Sequence, residues 1–299
     1  RANNFFWDGM ITNKVNLREF IFEQATYCLL DFTIVGGKFS LVPSVPYKGD
    51  YTIDHDAVVP ISAMFNDGNT NDLEVSVIPP EDRQLFQANV IWRDEKENGF
   101  AETKSEIVKL IGGEDHPIKT FDLSGFCTNS THANIFGKYV ISAAEKTTHM
   151  ITFKTSPNYV AGLKAGNYIR MYSTVQHTDR FRNGAILPSG EVVSKEPITS
   201  NHNIYIWNPS ETEVTFLKAV DFDDLEVLQN LARSNGSLFT IVENQASNQC
   251  YKVESLTYGE DGLIELAASH VELVDVNEDT GLGKLAILQG WGKTNARFA

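Results

Sequence analysis

Cys127 is the residue of this chain that most resembles a catalytic nucleophile. It lies just before a predicted helix that begins at Thr128 or Ser130, and the positive end of a helix dipole lowers the pKa of a nearby thiol. His132 follows five residues later, but neighbouring positions on a helix point in the wrong directions for a Cys–His pair. We therefore interpret Cys127 as a structural thiol in a turn and predict no catalytic residue in the chain.

A second candidate for chemistry is the run Asp54, His55 and Asp56, because all three residue types bind metal ions. In a strand the two aspartates share one face while His55 points to the other, so the three side chains would not converge on one ion. We interpret the run as a solvated face or a turn. The sequence predicts neither a bound metal nor a cofactor.

A denser acidic group lies in the second half of the chain, at Asp221, Asp223, Asp224 and Glu226. It lacks the ligand spacing and the central glycine of a calcium-binding EF-hand loop. Asp223 and Glu226 instead have the spacing of a pair that caps the start of a helix. One alternative function is a hydrolase of the cell envelope, which would act through Cys127 or through two of these carboxylates about 5–10 Å apart across a cleft.

Aromatic residues support another alternative, a module that binds host-surface carbohydrate. The four tryptophans are Trp7, Trp92, Trp207 and Trp291. Such side chains form platforms for sugars, but they also fill barrel cores and subunit interfaces. Tyr205 and Trp207 lie in a predicted strand of a small barrel that need not bury them, and we expect them to contact neighbouring subunits.

The composition restricts the class of protein. Of the 299 residues, 42% are hydrophobic, which suffices for about two domains with cores of their own. The net charge of −14 argues against a protein that grips nucleic acid through its phosphates, because that requires clustered Lys and Arg. Three widely separated cysteines exclude a disulfide framework and a CxxC zinc site, and they indicate synthesis in a reducing compartment. No apolar run approaches the ~20 residues that span a membrane, and no signal peptide is visible.

The first half of the chain mixes helices and strands. Asn16 and Glu19 predict the start of a helix, whose apolar face consists of Leu17, Phe20, Ile21, Ala25, Cys28 and Leu29. Gly36-Gly37 predicts a hairpin turn, and two further strands flank a charged turn at Glu95–Gly99. Between them, Asn66–Asp72 is predicted to be a polar loop.

The pattern changes to short strands at His149. From there to Val274 the apolar residues alternate in short runs broken by Gly, Asn and Pro, with one helix inserted. The sequence therefore predicts an α+β fold in three consecutive parts. These are an α+β domain over residues 1–148 that ends in a connecting helix, a β-barrel-like domain over residues 149–275, and a C-terminal extension over residues 276–299.

Four segments occur in an order typical of one family. They are "EDRQLFQANVIWRDEKENGFAET", "TFDLSGFCTNSTHANIFGKYVI", "ITFKTSPNYVAGLKAGNYIRMYST" and "QCYKVESLTYGEDGLIELAASHV". In this order they resemble the tail tip attachment proteins, or central tail hub proteins, of lambda-like long-tailed phages and related gene transfer agents. The similarity covers roughly Leu17 to Val274. Ala165 and Asn167 depart from the family's Pro-Gly-Asp turn, and the predicted helix after Asp221 has no counterpart that we can align.

The resemblance implies a structural protein and not an enzyme. Hubs of this family are homotrimers at the distal end of the tail, where they join the tail tube and the distal tail protein to fibres or receptor-binding proteins and close around the tape measure protein. It also implies synthesis in the host cytoplasm, contact with the host surface only through other proteins, and DNA as a molecule in transit. Basic walls would retain passing DNA, so we expect acidic side chains to line the channel.

Overall fold

The structure is a computed structural model that describes residues 5–35, 38–49, 52–79, 81–95, 102–109, 116–173, 182–242, 249–289 and 291. The predicted hairpin turn at Gly36-Gly37 and residues 96–99 of the predicted charged turn lie outside these residues. The chain folds into two compact units. The first consists of Arg1–Ala57, Ile78–Thr148 and Ala286–Ala299, and the second of Val58–Val77 and His149–Leu285.

The described residues contain helices α1 (Leu17–Tyr27), α2 (Ser130–Lys146) and α3 (Leu225–Ala232). The strands in chain order are β1 (Leu30–Val35), β2 (Lys38–Pro43), β3 (Ile61–Asn66), β4 (Asn71–Val77), β5 (Gln87–Asp94), β6 (Glu102–Val108), β7 (Ile118–Asp122), β8 (His149–Thr155), β9 (Tyr168–Tyr172), β10 (Arg182–Ile186), β11 (Val192–Ser194), β12 (Asn201–Trp207), β13 (Thr215–Asp221), β14 (Ser237–Ile241), β15 (Cys250–Tyr258), β16 (Ile264–Val271), β17 (Leu273–Val274) and β18 (Lys284–Leu285). Two short 3-10 helices span Pro157–Tyr159 and Ala286–Leu288.

In the first unit, α2 packs on a three-stranded sheet with the order β6-β5-β7, in which β5 and β7 are parallel. Phe136 of α2 meets Phe121 of β7 edge to face, with ring centroids 5.6 Å apart. Gly137 brings the helix close to the sheet, because a Cβ at this position would lie 2.7 Å from a methyl group of Val108. A separate hairpin of β1 and β2 packs beside α1.

Both helices of the first unit begin at an asparagine. The side chain of Asn16 accepts a backbone N–H at 3.1 Å, which confirms the predicted start of α1. Asn129 caps α2 by accepting the N–H of Thr131 at 2.8 Å. The predicted caps, Thr128 and Ser130, are therefore wrong, since the asparagine between them occupies the capping position and is an equally good acceptor.

The described part of the second unit contains two large sheets and the two-stranded sheet of β17 and β18. A curled half-barrel of six strands has the order β3-β9-β15-β16-β8-β4, and its β3–β9 pair is parallel while the others are antiparallel. An antiparallel sheet of five strands has the order β11-β10-β14-β12-β13. Helix α3 closes one face of the five-stranded sheet over a core that includes Ile204, Phe222, Leu228 and Phe239.

Strands β3 and β4 lie in a proline-rich region where the sequence predicts a polar loop over Asn66–Asp72. Asn66 is the last residue of β3, and Asp72 already belongs to β4, so this loop prediction is wrong at both ends. Both strands pair with strands far along the chain, β3 with β9 and β4 with β8. Local sequence carries little information on such pairing, which depends on distant partners.

Residues 276–285, predicted to begin an extension, belong to the second unit. The buried guanidinium of Arg170 donates to the carbonyl of Gly281 at 2.6 Å and lies 4.2 Å from the ring centroid of Tyr205. Nearby, β18 pairs with β17 and buries Leu285. These contacts hold the segment against the β-rich core.

The predicted α+β class is confirmed, with helices and sheets in the first unit and a β-rich second unit. The two units divide between Thr148 and His149, where the sequence changes from helix to strands, although each unit also includes distant segments. The division into three consecutive domains stays a prediction. Within the described part of the chain, no helix is long and apolar enough to cross a membrane.

Candidate functional site

Cys127 lies buried in the turn before α2. Its thiol donates to the carbonyl of Asn129 at 3.4 Å, and burial raises the pKa of Cys127 above its ordinary value. His132, also buried, contacts a different group, the carbonyl of Tyr27, at 2.8 Å from Nε2. The structure thus gives the two side chains separate partners, and a thiol with a raised pKa is a poor nucleophile at neutral pH.

Burial also raises the thiol pKa of the other two cysteines. Burial, with a smaller contribution from Cys127, raises the pKa of Cys28 to about 11. Burial raises the pKa of Cys250 to about 12. All three thiols therefore remain protonated near neutral pH, which favours a structural role.

The run from Asp54 to Asp56 forms a turn, as one of the two sequence interpretations predicts. The N–H of Asp56 donates to the carboxylate of Asp54 at 3.2 Å, and His55 lies 3.2 Å from the carboxylate of Asp56. The Asp54 carboxylate also lies 3.9 Å from the ammonium of Lys48. Among the described residues, no group of three or more His, Cys, Asp or Glu side chains is placed to hold a metal ion.

The acidic group after β13 binds backbone N–H groups. Asp221 accepts from the N–H of Asp223 at 2.9 Å, and Asp223 accepts from that of Ser200 at 3.0 Å. The cap of α3 is Asp224, which accepts from Glu226 at 2.9 Å. The prediction of Asp223 as the cap is wrong, because its carboxylate turns towards the loop that precedes β12.

The tryptophans do not form an exposed platform. Trp92, Trp207 and Trp291 are buried, and Trp7 is half-buried and donates to the side chain of Gln24 at 3.1 Å. Tyr205 is buried as well, so the expectation that Tyr205 and Trp207 contact neighbouring subunits is wrong.

The physical reason is that β12 is covered on both faces. Ile204 belongs to the core beneath α3. On the opposite face, Tyr205 stacks on Tyr172 of β9 with ring centroids 5.8 Å apart, and Trp207 lies 6.1 Å from Phe65 of β3. A strand between two layers buries both sets of side chains.

Apolar side chains are exposed instead on the first unit, at α1 and the hairpin. We call this the apolar surface, and it consists of Leu17, Phe22, Phe39 and Leu41 with the half-buried Phe32 between them. Phe22 and Phe39 are each 62% exposed.

The rings of the apolar surface are in contact with one another. Phe22 meets Phe32 edge to face at 6.2 Å, and Phe32 stacks on Phe39 at 5.3 Å. Leu41 lies directly opposite Phe32 in the hairpin, and the guanidinium of Arg18 lies 5.6 Å from the ring centroid of Phe39. A connected group of exposed aromatic side chains flanked by an arginine is typical of a protein–protein interface.

The sequence contained a signal for this surface. The predicted apolar face of α1 includes Leu17, which is 66% exposed, and omits Phe22, which lies off that face. A helix with large apolar residues on more than one side requires more than one apolar neighbour. The hairpin of β1 and β2 is one such neighbour of α1. The exposed residues of α1 mark a side of the helix that has no second apolar neighbour among the described residues.

No protein-family model matches this chain, and no curated protein matches it. Solved structures do align with it. One is a chain in the virion of a native gene transfer agent particle, with a TM-score of 0.36, 10% identity, and coverage of 86% of this chain and 46% of that chain. The tail protein from Neisseria meningitidis MC58 has a TM-score of 0.35 and 9% identity, with coverage of 79% and 57%. The 43 kDa tail protein of prophage MuSo2 from Shewanella oneidensis has a TM-score of 0.35 and 6% identity, with coverage of 87% and 53%.

The chain thus spans about half the length of the structures with which it aligns. These structures are tail and virion proteins, and the sequence motifs of this chain resemble tail hub proteins of phages and gene transfer agents. The alignments carry no argument about position in the particle, partners or activity.

Proposed function

We propose that this chain is the central hub subunit of a phage tail tip. Three copies would form a ring that closes the distal end of the tail tube, joins it to the host-recognition parts and opens for DNA ejection. The apolar surface carries the proposal, since it leaves large aromatic side chains in water on a chain of net charge −14. The four ordered sequence motifs add support.

A ring uses one heterologous interface, in which the same surface of each subunit contacts a different surface of the next. The apolar surface provides one side of such a contact. Arg18 beside Phe39 provides a cation at this contact, to which an acidic neighbour is complementary. The distal tail protein, the tail tube, the tape measure protein and fibre or receptor-binding proteins are the further partners in this proposal.

Light scattering over a range of concentrations tests the ring. We expect a mass three times that of the monomer, and a shift to monomer in the double variant Phe22→Ser/Phe39→Ser. Tyr258→Ser is the matched control, because Tyr258 is 80% exposed on the second unit. A purely monomeric or dimeric chain would contradict the hub. A trimer that persists in the double variant would show that the subunits contact each other through a surface other than the apolar surface.

The acidity of the chain extends the proposal to the channel. Three subunits would carry three times the net charge of −14, and an acidic lumen would repel DNA in transit. Solubility is the competing explanation of this charge. The electrostatic potential inside the assembled ring, determined from a structure of the particle tip, separates the two. A neutral or positive lumen leaves solubility as the explanation.

A further inference from the structure

We propose that a cleft within the second unit binds a neutral mono- or disaccharide. The cleft has a volume of about 580 Å³, which falls in the range of roughly 300–1,000 Å³ for small-molecule sites. Its walls are the turn after β3, the start of β10, and β11 with the two residues that follow it. The cleft lies in the second unit and the apolar surface in the first, and this inference does not depend on the proposed function.

The charges of the cleft favour a neutral, polar ligand. Asp67 and Glu196 provide carboxylates, and Arg182 and Lys195 provide cations, so the described lining is balanced. Hydroxyl groups both donate and accept, and they satisfy carboxylates and cations together. A balanced lining gives a phosphate no net attraction, and an apolar ligand would desolvate four charged groups without compensation.

Apolar side chains also line the cleft. They are those of Tyr159, Ala185, Val193 and Leu238. Pyranose rings have a face of C–H groups that packs against such side chains while their hydroxyls bind polar groups. This combination of apolar lining and a few polar groups is general to small-ligand sites.

Hydrogen bonds hold two of the three walls, the turn after β3 and the start of β10, in place before any ligand arrives. Asn183 of β10 donates to the carbonyl of Tyr172 at 2.9 Å and to the carboxylate of Asp67 at 3.3 Å. Asn66, which is buried, accepts the N–H of Gly68 at 2.9 Å. A site with fixed walls loses little conformational entropy on binding, which favours recognition of a small ligand.

A peptide is the main competing ligand, because β11 is an edge strand of its sheet. A peptide that extends a sheet gains its affinity from a ladder of backbone hydrogen bonds. Strand β11 spans only Val192–Ser194, which limits such a ladder to very few bonds. The balanced charges and the apolar lining therefore favour the saccharide.

Saturation-transfer difference NMR on the full chain tests the site, with glucose, galactose, N-acetylglucosamine, lactose, cellobiose and chitobiose as probes. We expect at least one probe to bind with a Kd of about 1 mM or below. The variants Asp67→Asn and Lys195→Ala should each weaken binding by about tenfold or more. Lys218→Ala is the matched control, since Lys218 pairs with Asp279 at 2.8 Å outside the cleft.

Circular dichroism establishes whether each variant is folded. Lys195 is exposed, so Lys195→Ala still tests the site if Asp67→Asn fails to fold. Absence of binding by all six sugars would overturn the proposal. Binding that survives both substitutions would also overturn it, as would binding of extended peptides in place of sugars. The light-scattering test of the ring does not use the cleft, so a failure here leaves the proposed hub untouched.

Discussion

Strands β2 and β12 both carry aromatic side chains, but they place them in opposite environments. Phe39 on β2 is largely exposed, whereas Trp207 on β12 is 3% exposed. Strand β2 belongs to a two-stranded hairpin next to one helix. Strand β12 lies inside a five-stranded sheet, between the core under α3 and the rings of the six-stranded sheet.

The difference shows that layers decide whether an aromatic strand residue is core or surface. A strand covered on both faces buries both sets of its side chains along the covered stretch, while a sheet covered on one face leaves alternate residues to a partner or to water. An exposed aromatic residue is therefore informative about assembly only when its sheet lacks a covering layer. The β1–β2 hairpin of the first unit lacks such a layer. Strand β12 of the second unit is covered on both faces.

Truncation of Trp207 should produce the largest effect. Trp207→Ala should lower the free energy of unfolding by about 3–5 kcal/mol, because it opens a cavity between the two sheets of the second unit. Phe39→Ala should change it by about 0.5 kcal/mol or less, since Phe39 is mainly exposed. Urea denaturation of both variants measures the contrast. Similar losses for the two would show that the hairpin is as tightly packed as the sheet core.

A methyl group at Gly281 should have the next largest effect. Gly281 has φ of +65°, and a Cβ there would lie 2.5 Å from the hydroxyl of Tyr205. Gly281→Ala should cost about 1–3 kcal/mol through overpacking, in addition to backbone strain. Gly262→Ala is the matched control, because Gly262 has φ of +77° but no atoms within 4 Å of the added methyl. Equal losses in thermal unfolding would assign the whole effect to the backbone.

Acid should destabilise the first unit moderately through His132. Its Nε2 lies 2.8 Å from the carbonyl of Tyr27, which only accepts, so Nε2 carries the proton and Nδ1 has no hydrogen-bond partner among the described residues. Burial lowers the pKa of His132 below its ordinary value.

Because the unfolded chain keeps the ordinary value of about 6.5, it binds the proton more readily than the folded chain. The stabilising effect of a neutral His132 is therefore complete above about pH 6.5 and declines as the pH falls below it. Urea midpoints between about pH 7 and pH 5 should fall more steeply in the native chain than in His132→Gln. Parallel slopes would show that other groups cause the acid sensitivity.

The cysteines should show the smallest effect. In the folded chain at neutral pH, a thiol reagent should label Cys28, Cys127 and Cys250 slowly, and all three rapidly after denaturation, because their raised pKa values keep them protonated. Under the proposed hub function, Cys127→Ser should leave the infectivity of the phage particle near that of the native protein. A loss of several orders of magnitude with normal assembly would restore the interpretation of Cys127 as a nucleophile.

Local patterns predicted much of the fold. The periodicity of α1 and α2 and the alternation in the strands after His149 appear as elements of the structure. Strands β3 and β7 were missed because each pairs in parallel with a strand that is not its neighbour in sequence. Parallel pairing has no local turn signal, so sequence periodicity alone does not locate it.

The candidate sites were harder to predict than the fold. Sequence spacing predicted no place for Cys127 or for the Asp54–Asp56 run in a catalytic or metal-binding group, and this stays a prediction. It did not find the apolar surface, because whether Phe22 is buried depends on how many layers surround its helix. The saccharide cleft combines residues from β3 to β14, and no single segment contains enough of its lining to be recognised.

By itself, the sequence determined the residue types, the periodicities, the net charge and the likeness to tail hub proteins. These properties follow from the order of side chains along the chain, which sets local conformation and the ionisable groups available. Only the tertiary structure decided that Trp207 is core, that Phe39 is surface and that Arg170 holds Gly281. Burial depends on which distant segments form the second layer, and that is a property of the packed chain and not of any one segment.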